Sequence, residues 1–296
     1  MWHAGPLHLN LYGLAMGAGL LVGLFIALSE ARRKGEDEDA FTTAIAISAI
    51  AGLAGARLLY VLLNLATYAA DPAAIVRIWD GGLSLIGALA GGGPALCLAA
   101  RSLKLRPAVA LDAAAPAMAA GLAIGRVGCD LFGLPTALPW AVNIAGRWVH
   151  PAQAYEIIAD SALFLWLWAR RRVAPGTAGP RPGAQLARFI GGYALVRFFV
   201  EFTREPRGAL WLSPAQWAAV AAVAVVLLWL RARGADLAPM AGGSGDLQTG
   251  ASAETQAPPD LLQRVPAWAW TLAIPVLLAL YFALNAGQVP LVRVLQ

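Results

Sequence analysis

Eight stretches of this chain are apolar over roughly the length that a helix needs to cross a bilayer: 9–30, 41–66, 82–100, 107–124, 152–169, 185–203, 212–230 and 266–284. A hydrocarbon core about 30 Å thick takes about 20 helical residues to cross. The pattern therefore predicts an all-α, polytopic transmembrane helical bundle, with seven core helices and an eighth near the C-terminus. The run at 185–203 is the least apolar of the set.

Composition agrees with that reading. The 296 residues are 59% hydrophobic and only 13% charged, whereas soluble domains average about 25% charged residues. The net charge of +5 does not point to nucleic acid, because the basic residues gather at the ends of the apolar runs. Arg32, Arg33 and Lys34 follow the first run, Arg101, Lys104 and Arg106 the third, Arg170, Arg171 and Arg172 the fifth, and Arg231 and Arg233 the seventh. If the runs alternate in direction, all four groups lie on one side, and cytoplasmic loops retain positive charge. The N-terminus is then outside. It lacks a basic leader and a small-residue cleavage site, so the first run is expected to be a retained helix.

The organisation follows from composition. Residues 1–231 form the seven-helix domain, 232–264 are a Gly-, Ala- and Pro-rich flexible linker, and 265–296 carry the additional C-terminal helix. Two cysteines, Cys97 and Cys129, make no disulfide framework and no metal spacing. No cofactor motif is present: "GALAGGG" at 87–93 has no following Lys-Ser/Thr and is read as helix packing. Small residues four apart, Gly13 with Gly17, Gly19 with Gly23 and Gly87 with Gly91, likewise allow close helix approach in lipid.

The alternation places polar groups from several segments on the outer face. Tyr12 begins the first run, and Arg57 lies in the outer half of the second. "WDGGLSLIG" at 79–87 enters the third, and "GRVGCDLFG" at 125–133 leaves the fourth. "HPAQAYE" at 150–156 enters the fifth, and "VRFFVEFTREP" at 196–206 leaves the sixth. Ionisable groups within a membrane are costly and face a cavity or a partner. Arg57, Arg126, Glu156, Arg197 and Glu201 are expected to line a pocket at headgroup depth. Arginine grips phosphate bidentately, so a phospholipid headgroup is the expected ligand. Arg197 and Glu201, four apart, share a helix face, which also suits a structural ion pair. Arg204 is read as a rim residue or as a snorkelling side chain. Asp112 reads as a helix-packing hydrogen-bond partner, Cys129 as an inert thiol, and Trp140 and Trp148 as interfacial belt residues.

The ordered motifs "LYGL" (11–14), "GARLLYV" (55–61), "WDGGLSLIGALAGG" (79–92), "GRVG" (125–128), "PTALPWAV" (135–142), "HPAQAYE" (150–156), "GYALVRFFVEFTREP" (192–206) and "LSPAQW" (212–217) resemble the prolipoprotein diacylglyceryl transferase family. The resemblance covers roughly residues 5–231. It implies transfer of the diacylglyceryl group of phosphatidylglycerol to the lipobox cysteine of a prolipoprotein, with glycerol phosphate leaving. This is the first step of lipoprotein maturation, on the outer face of the bacterial cytoplasmic membrane. The implied partners are phosphatidylglycerol, the prolipoprotein signal-peptide region and the membrane; no cofactor or metal is implied. Tyr12, Arg126, Arg197, Glu201 and His150 are the implied catalytic residues. Arg57, Gly81, Gly82, Gly133, Glu156 and Arg204 are the implied substrate-binding residues.

Two departures from the family pattern shape the expected chemistry. Ile86 stands where the family has a histidine, and the "GRVG" segment is about four residues shorter, with Cys129 in place of an asparagine. The reacting thiol must become a thiolate, and three routes remain open. His150 has the side chain suited to proton transfer near neutrality. Tyr12 is a phenol with an ordinary pKa of about 10 and needs activation by arginines. Third, the cationic pocket itself favours the thiolate. Two other functions compete: a homologue that binds lipid without chemistry, and a transporter of anionic lipids or solutes. The transporter is disfavoured because the polar residues gather on one face.

Overall fold

The computed structural model describes residues 2–4, 7–9, 11–78, 81–129, 132–171, 182–204, 211–232 and 276. The expected linker at 232–264 and the eighth run at 266–284 lie, but for Ala232 and Val276, outside the described residues. The long helices are α1 (Leu11–Arg33), α2 (Glu38–Leu63), α4 (Leu85–Ser102), α5 (Pro107–Gly125), α6 (Ala152–Ala169), α7 (Ala184–Glu201) and α8 (Pro214–Ala232). They coincide with the first seven apolar runs. A short helix α3 (Leu65–Ala70) and a 3-10 turn (Pro72–Val76) follow α2; no sequence signal marked them. The described residues also form two small antiparallel hairpins, β1 (Trp2–Ala4) with β2 (Leu7–Leu9) and β3 (Val142–Ile144) with β4 (Arg147–Val149).

Five of the helices, α1, α2, α4, α5 and α8, are long and apolar enough to cross a membrane. Their exposed faces carry Leu20, Phe25, Ile50, Leu58, Leu98 and Leu228, each more than 60% exposed, which suits lipid and not water. α6 and α7 hold the ionisable residues Glu156, Asp160, Arg197 and Glu201 within their length. The architecture is the all-α membrane bundle that the sequence predicts.

The chain falls into two compact units. One comprises Met1–Ile26, Ala115–Leu247 and Pro259–Gln296, the other Ala27–Ala114 and Gln248–Pro258.

In the second unit α2 packs on α4 through glycines. A Cβ on Gly55 would lie 2.5 Å from the carbonyl oxygen of Gly87 and 3.2 Å from Cα of Gly91, so the two backbones touch. Gly87 and Gly91 therefore act in packing, as their spacing suggests, against Gly55 and Ala51, which share that four-residue spacing. Helix ends are held by charge. Asp37 caps α2, accepting from the Ala40 amide at 2.8 Å, with Glu38 and Asp39 in the first turn, where the helix dipole favours anions. Arg33 pairs with Glu30 at 2.8 Å and Arg106 with Glu36 at 2.7 Å, while Arg32 pairs with Glu38. Beside them, burial pushes the Lys34 ammonium below its ordinary value, against the opposing pull of Asp112.

In the first unit α1 and α5 approach at Gly19, whose Cβ would sit 2.7 Å from the Gly121 carbonyl oxygen. α7 packs on both α6 and α8, and Gly192 admits the Leu163 side chain, which a Cβ would meet at 2.5 Å. The β3–β4 hairpin turns at Ala145 (φ 50) and Gly146 (φ 83), the two positive dihedrals of a tight hairpin turn. Asn143 Oδ1 accepts the Gly146 amide at 2.9 Å to close it.

Candidate functional site

Glu156 sits in the second turn of α6 and is 3% exposed. A carboxylate that deep needs cationic partners, and three arginines of the first unit supply them. Arg126, in the 3-10 turn Arg126–Gly128 that continues α5, pairs with its Oε2. Arg197 of α7 donates from Nη1 to Oε1 at 2.5 Å, and Arg204 Nη1 stands 3.6 Å from the same oxygen.

Glu201, one turn after Arg197, accepts from Arg197 Nη2 at 2.9 Å and lies 4.0 Å from Arg204 Nη1. Its other oxygen accepts from Ser213 Oγ at 3.2 Å. Ser213 precedes α8, and its amide donates to Gln216 Oε1 at 2.9 Å, while Gln216 Nε2 donates to the Phe198 carbonyl at 3.1 Å. The turn past α7 remains helical, with the Arg204 amide bonded to the Glu201 carbonyl at 3.1 Å. That keeps Arg204 on the face of Glu201.

The cluster is layered. Glu156 and Glu201 side chains are 4% and 5% exposed, whereas those of Arg126, Arg197 and Arg204 are 17%, 19% and 19% exposed. The carboxylates form the buried floor, and the arginine side chains form the less buried rim. Guanidinium donors not used by the floor can take an anion, and their fork matches phosphate oxygens.

The loop before α6 is fixed against this cluster. The Gly133 amide donates to the His150 carbonyl at 2.9 Å and the Leu134 amide to the Thr203 carbonyl at 2.7 Å. A Cβ on Gly133 would run into the Thr203 carbonyl and come within 2.9 Å of His150 Cβ, so only glycine allows that approach. Gln153 Nε2 donates to the Cys129 carbonyl at 3.0 Å, tying α6 to the segment after Arg126. The His150 ring bonds through Nδ1 to the Tyr155 hydroxyl at 3.1 Å, and Trp140 Nε1 donates to the same hydroxyl at 2.7 Å. Trp140, expected as a belt residue, is thus also part of a hydrogen-bonded chain.

The remaining expected site residues are placed as follows. Tyr12 lies in the first turn of α1. Arg57, Gly81 and Gly82 belong to the second unit. Arg57 is 7% exposed and directs its five N–H donors at five backbone carbonyls. Nε reaches Ile75 at 2.8 Å, Nη1 reaches Gly81 at 2.6 Å and Gly82 at 2.9 Å, and Nη2 reaches Ala74 at 2.5 Å and Arg77 at 3.1 Å. Arg57, expected in the phosphate pocket, organises the segment after α3 through these bonds. Gly82 (φ 76) completes that cage: a Cβ there would meet Tyr60 Cε1 at 2.7 Å and Arg57 Nη1 at 2.8 Å. Ile86, in the first turn of α4, is 66% exposed and offers no proton-transfer group.

Sequence reasoning passed over Asp160, Tyr193, Ser213 and Gln216. Asp160 is 1% exposed, lies one turn from Glu156, and feels the charges of Glu156, Arg126 and Arg197. Its two oxygens and the Tyr193 hydroxyl have no hydrogen-bond partner among the described residues. The signal was the Glu-x-x-x-Asp spacing inside an apolar run; Ser213 and Gln216 lay in plain view in "LSPAQW".

Known proteins resemble this chain over most of its length. Residues 1–231 match the family model described as Prolipoprotein diacylglyceryl transferase. The similar proteins include three from different bacteria, each named Phosphatidylglycerol--prolipoprotein diacylglyceryl transferase. The one from Synechococcus elongatus is 32% identical over 242 residues, 76% of this chain and 84% of its own. That from Geobacter sulfurreducens is 36% identical over 220 residues, 70% and 82% of the two chains. That from Nitratidesulfovibrio vulgaris is 34% identical over 261 residues, 80% and 94%.

Proposed function

Because the chain belongs to the prolipoprotein diacylglyceryl transferase family, we propose that it transfers the diacylglyceryl group of phosphatidylglycerol to the lipobox cysteine thiol of a prolipoprotein. One observation carries the reading beyond family membership: the cationic rim of Arg126, Arg197 and Arg204 above the buried Glu156 and Glu201. The thiolate sulfur attacks the glyceryl carbon that bears the phosphate ester. A C–S bond forms, the C–O bond breaks, and its electron pair leaves with glycerol phosphate. The charge that grows on the leaving oxygen falls beside guanidinium groups already fixed by two carboxylates. Such preorganised charge is a large contributor to catalysis because no solvent must reorient as the reaction proceeds. The same cationic rim favours thiolate over thiol in the incoming peptide.

The site works in this proposal at the outer face of the bacterial cytoplasmic membrane, with the N-terminus outside, as the distribution of Lys and Arg between loops supports. Residues 1–231 carry the transfer in this proposal. Tyr12 and Gly133 support the substrate sites around Arg126, Arg197, Glu201 and Arg204; Arg57, Gly81 and Gly82 are proposed as substrate-binding residues of the second unit. Loss of activity through Ile86 and Cys129 is not favoured, given the family match and the named relatives.

The test is transfer of radiolabel from phosphatidylglycerol labelled in its diacylglyceryl part to a lipobox peptide by the full chain in membranes. Arg126→Gln and Arg197→Gln are each expected to lower the rate by about a hundredfold or more, the scale of removing one preorganised electrostatic partner. Wild-type protein that binds the lipid but makes no thioether product would overturn the proposal.

A further inference from the structure

We propose that Asp160 is held as a neutral carboxylic acid beneath the arginine cluster, and that its missing charge leaves the cluster one uncompensated positive charge with which to bind an anionic headgroup. Only the identity of that anion rests on the proposed function; the state of Asp160 does not.

The helix register places Asp160. Arg197 of α7 donates to Glu156 of α6 at 2.5 Å, and Gln185 of α7 donates to the Leu167 carbonyl of α6 at 3.0 Å. The two helices therefore run antiparallel. One turn on from Glu156 stands Asp160, and one turn back from Arg197 stands Tyr193; a step of four residues keeps each on the same helix face. The two side chains share the next layer of the α6–α7 seam, and each feels the charges of Arg126, Arg197 and Glu156. A further turn away come Phe164 and Phe189, both buried, and Phe189 stacks on Tyr193 at 5.8 Å between ring centroids. Aromatic rings thus close the layer on the side away from the arginines.

Asp160 is 1% exposed, and neither of its oxygens has a hydrogen-bond partner among the described residues; nor has the Tyr193 hydroxyl. An ionised carboxylate in that position would be a buried charge without a donor, and such groups neutralise instead. The nearby guanidinium groups are engaged elsewhere: Arg126 pairs with Glu156, and Arg197 with Glu156 and Glu201. Glu156, one turn away on the same helix, opposes a second negative charge. α7 and the turn Arg126–Gly128 pack on α6, and they bring Arg197, Tyr193 and Arg126 to this layer, with Cys129 beside Arg126. The consequence is a surplus of charge. The three guanidinium groups of the rim face two ionised carboxylates, Glu156 and Glu201. The remaining positive charge matches a phosphodiester, which is singly negative, and an ionised Asp160 would cancel it.

Infrared difference spectroscopy of the full chain in detergent, wild type against Asp160→Asn, tests the state of the acid. The wild type is expected to show the carbonyl stretch of a protonated carboxyl group, shifted in heavy water and missing from the variant. Absence of that band at mildly acidic pH overturns the proposal whether or not the protein transfers lipid. The surplus charge is read from binding of spin-labelled phosphatidylglycerol to the full chain in phosphatidylcholine vesicles, with no peptide present. Asp160→Asn exchanges one neutral group for another of the same shape, so the variant is expected to keep the wild-type fold and affinity at that pH. Were Asp160 an ionised partner of the arginines, the same change would cost about a hundredfold in affinity, the scale of breaking a buried ion pair. A loss of that size, or failure of the variant to fold, refutes the neutral acid. At a pH where the band has gone, wild-type binding is expected to weaken by about tenfold, the scale of one added charge near the phosphate at an effective dielectric of about 20. Asp160→Asn has every other facing group in common with the wild type and should not weaken there. Equal weakening of both proteins refutes the role given to the charge of Asp160.

Discussion

Glu156→Gln is the sharpest perturbation of the site, because one carboxylate serves three arginines. In the wild type its oxygens pair with Arg126, with Arg197 at 2.5 Å and with Arg204 at 3.6 Å, at 4% side-chain exposure. The glutamine keeps the volume but removes the charge, and its amide nitrogen turns a donor toward at least one guanidinium. Arg197 still has Glu201 at 2.9 Å; Arg126 loses its direct counter-charge. Removing one partner of a buried ion pair costs about 3–5 kcal/mol. The guanidinium groups are under one-fifth exposed, so solvent relieves only part of that, and we expect about 3 kcal/mol. If the cost appears as misplacement of the arginines, transfer falls by about a hundredfold at 1.4 kcal/mol per tenfold change. The assay is the labelled-lipid transfer to a lipobox peptide, with thermal unfolding in detergent followed by tryptophan fluorescence. Glu156→Gln should lower both rate and Tm. The double variant Arg126→Gln/Glu156→Gln should recover part of the Tm and none of the rate, because removing both members of a buried pair is milder for stability than removing one. Glu156→Gln with unaltered rate and Tm would refute the idea that this carboxylate organises the rim.

Three further outcomes follow from the second unit. Gly55→Val places a branched side chain where even a Cβ meets the Gly87 carbonyl oxygen at 2.5 Å; overpacking of this kind costs about 1–3 kcal/mol and should appear as a lower Tm, while Ala at Gly93, where a Cβ meets nothing within 4 Å, should not. Arg57→Lys cannot reproduce five N–H bonds to the carbonyls of residues 74, 75, 77, 81 and 82; limited proteolysis should cut at 72–82 at least tenfold faster, from about 1–3 kcal/mol for each buried acceptor left unpaired. Lys34 titrates below its ordinary value because burial opposes its charge, so between that lowered value and the unfolded value near 10.4 the unfolded chain binds the proton more tightly and stability rises with pH. Lys34→Gln should flatten the alkaline dependence of Tm.

How much was legible in the sequence depends on the kind of interaction. Seven apolar runs became helices because burial of backbone polarity in lipid is a local requirement, written into length and hydropathy. Arg197 and Glu201 were legible as a pair because four residues make one helical turn. Asp160 was equally legible by its spacing from Glu156 and was overlooked. The partners of Gly87 and Gly91 were not legible: Gly55 and Ala51 become partners only when α2 lies against α4.

Arg57 and Glu156 mark the boundary between the two kinds of information. By residue type and place in the sequence, Arg57 looked equivalent to Arg126 and Arg197; folding surrounded it with carbonyl oxygens and surrounded Glu156 with guanidinium groups. Chain chemistry alone determined a membrane-spanning helical protein with arginine-rich ends, since transfer free energies add residue by residue along a helix. Which charges neutralise each other, and which face outward, was decided only by tertiary structure, because electrostatic energy depends on distances between residues far apart in the chain and on how much water reaches them.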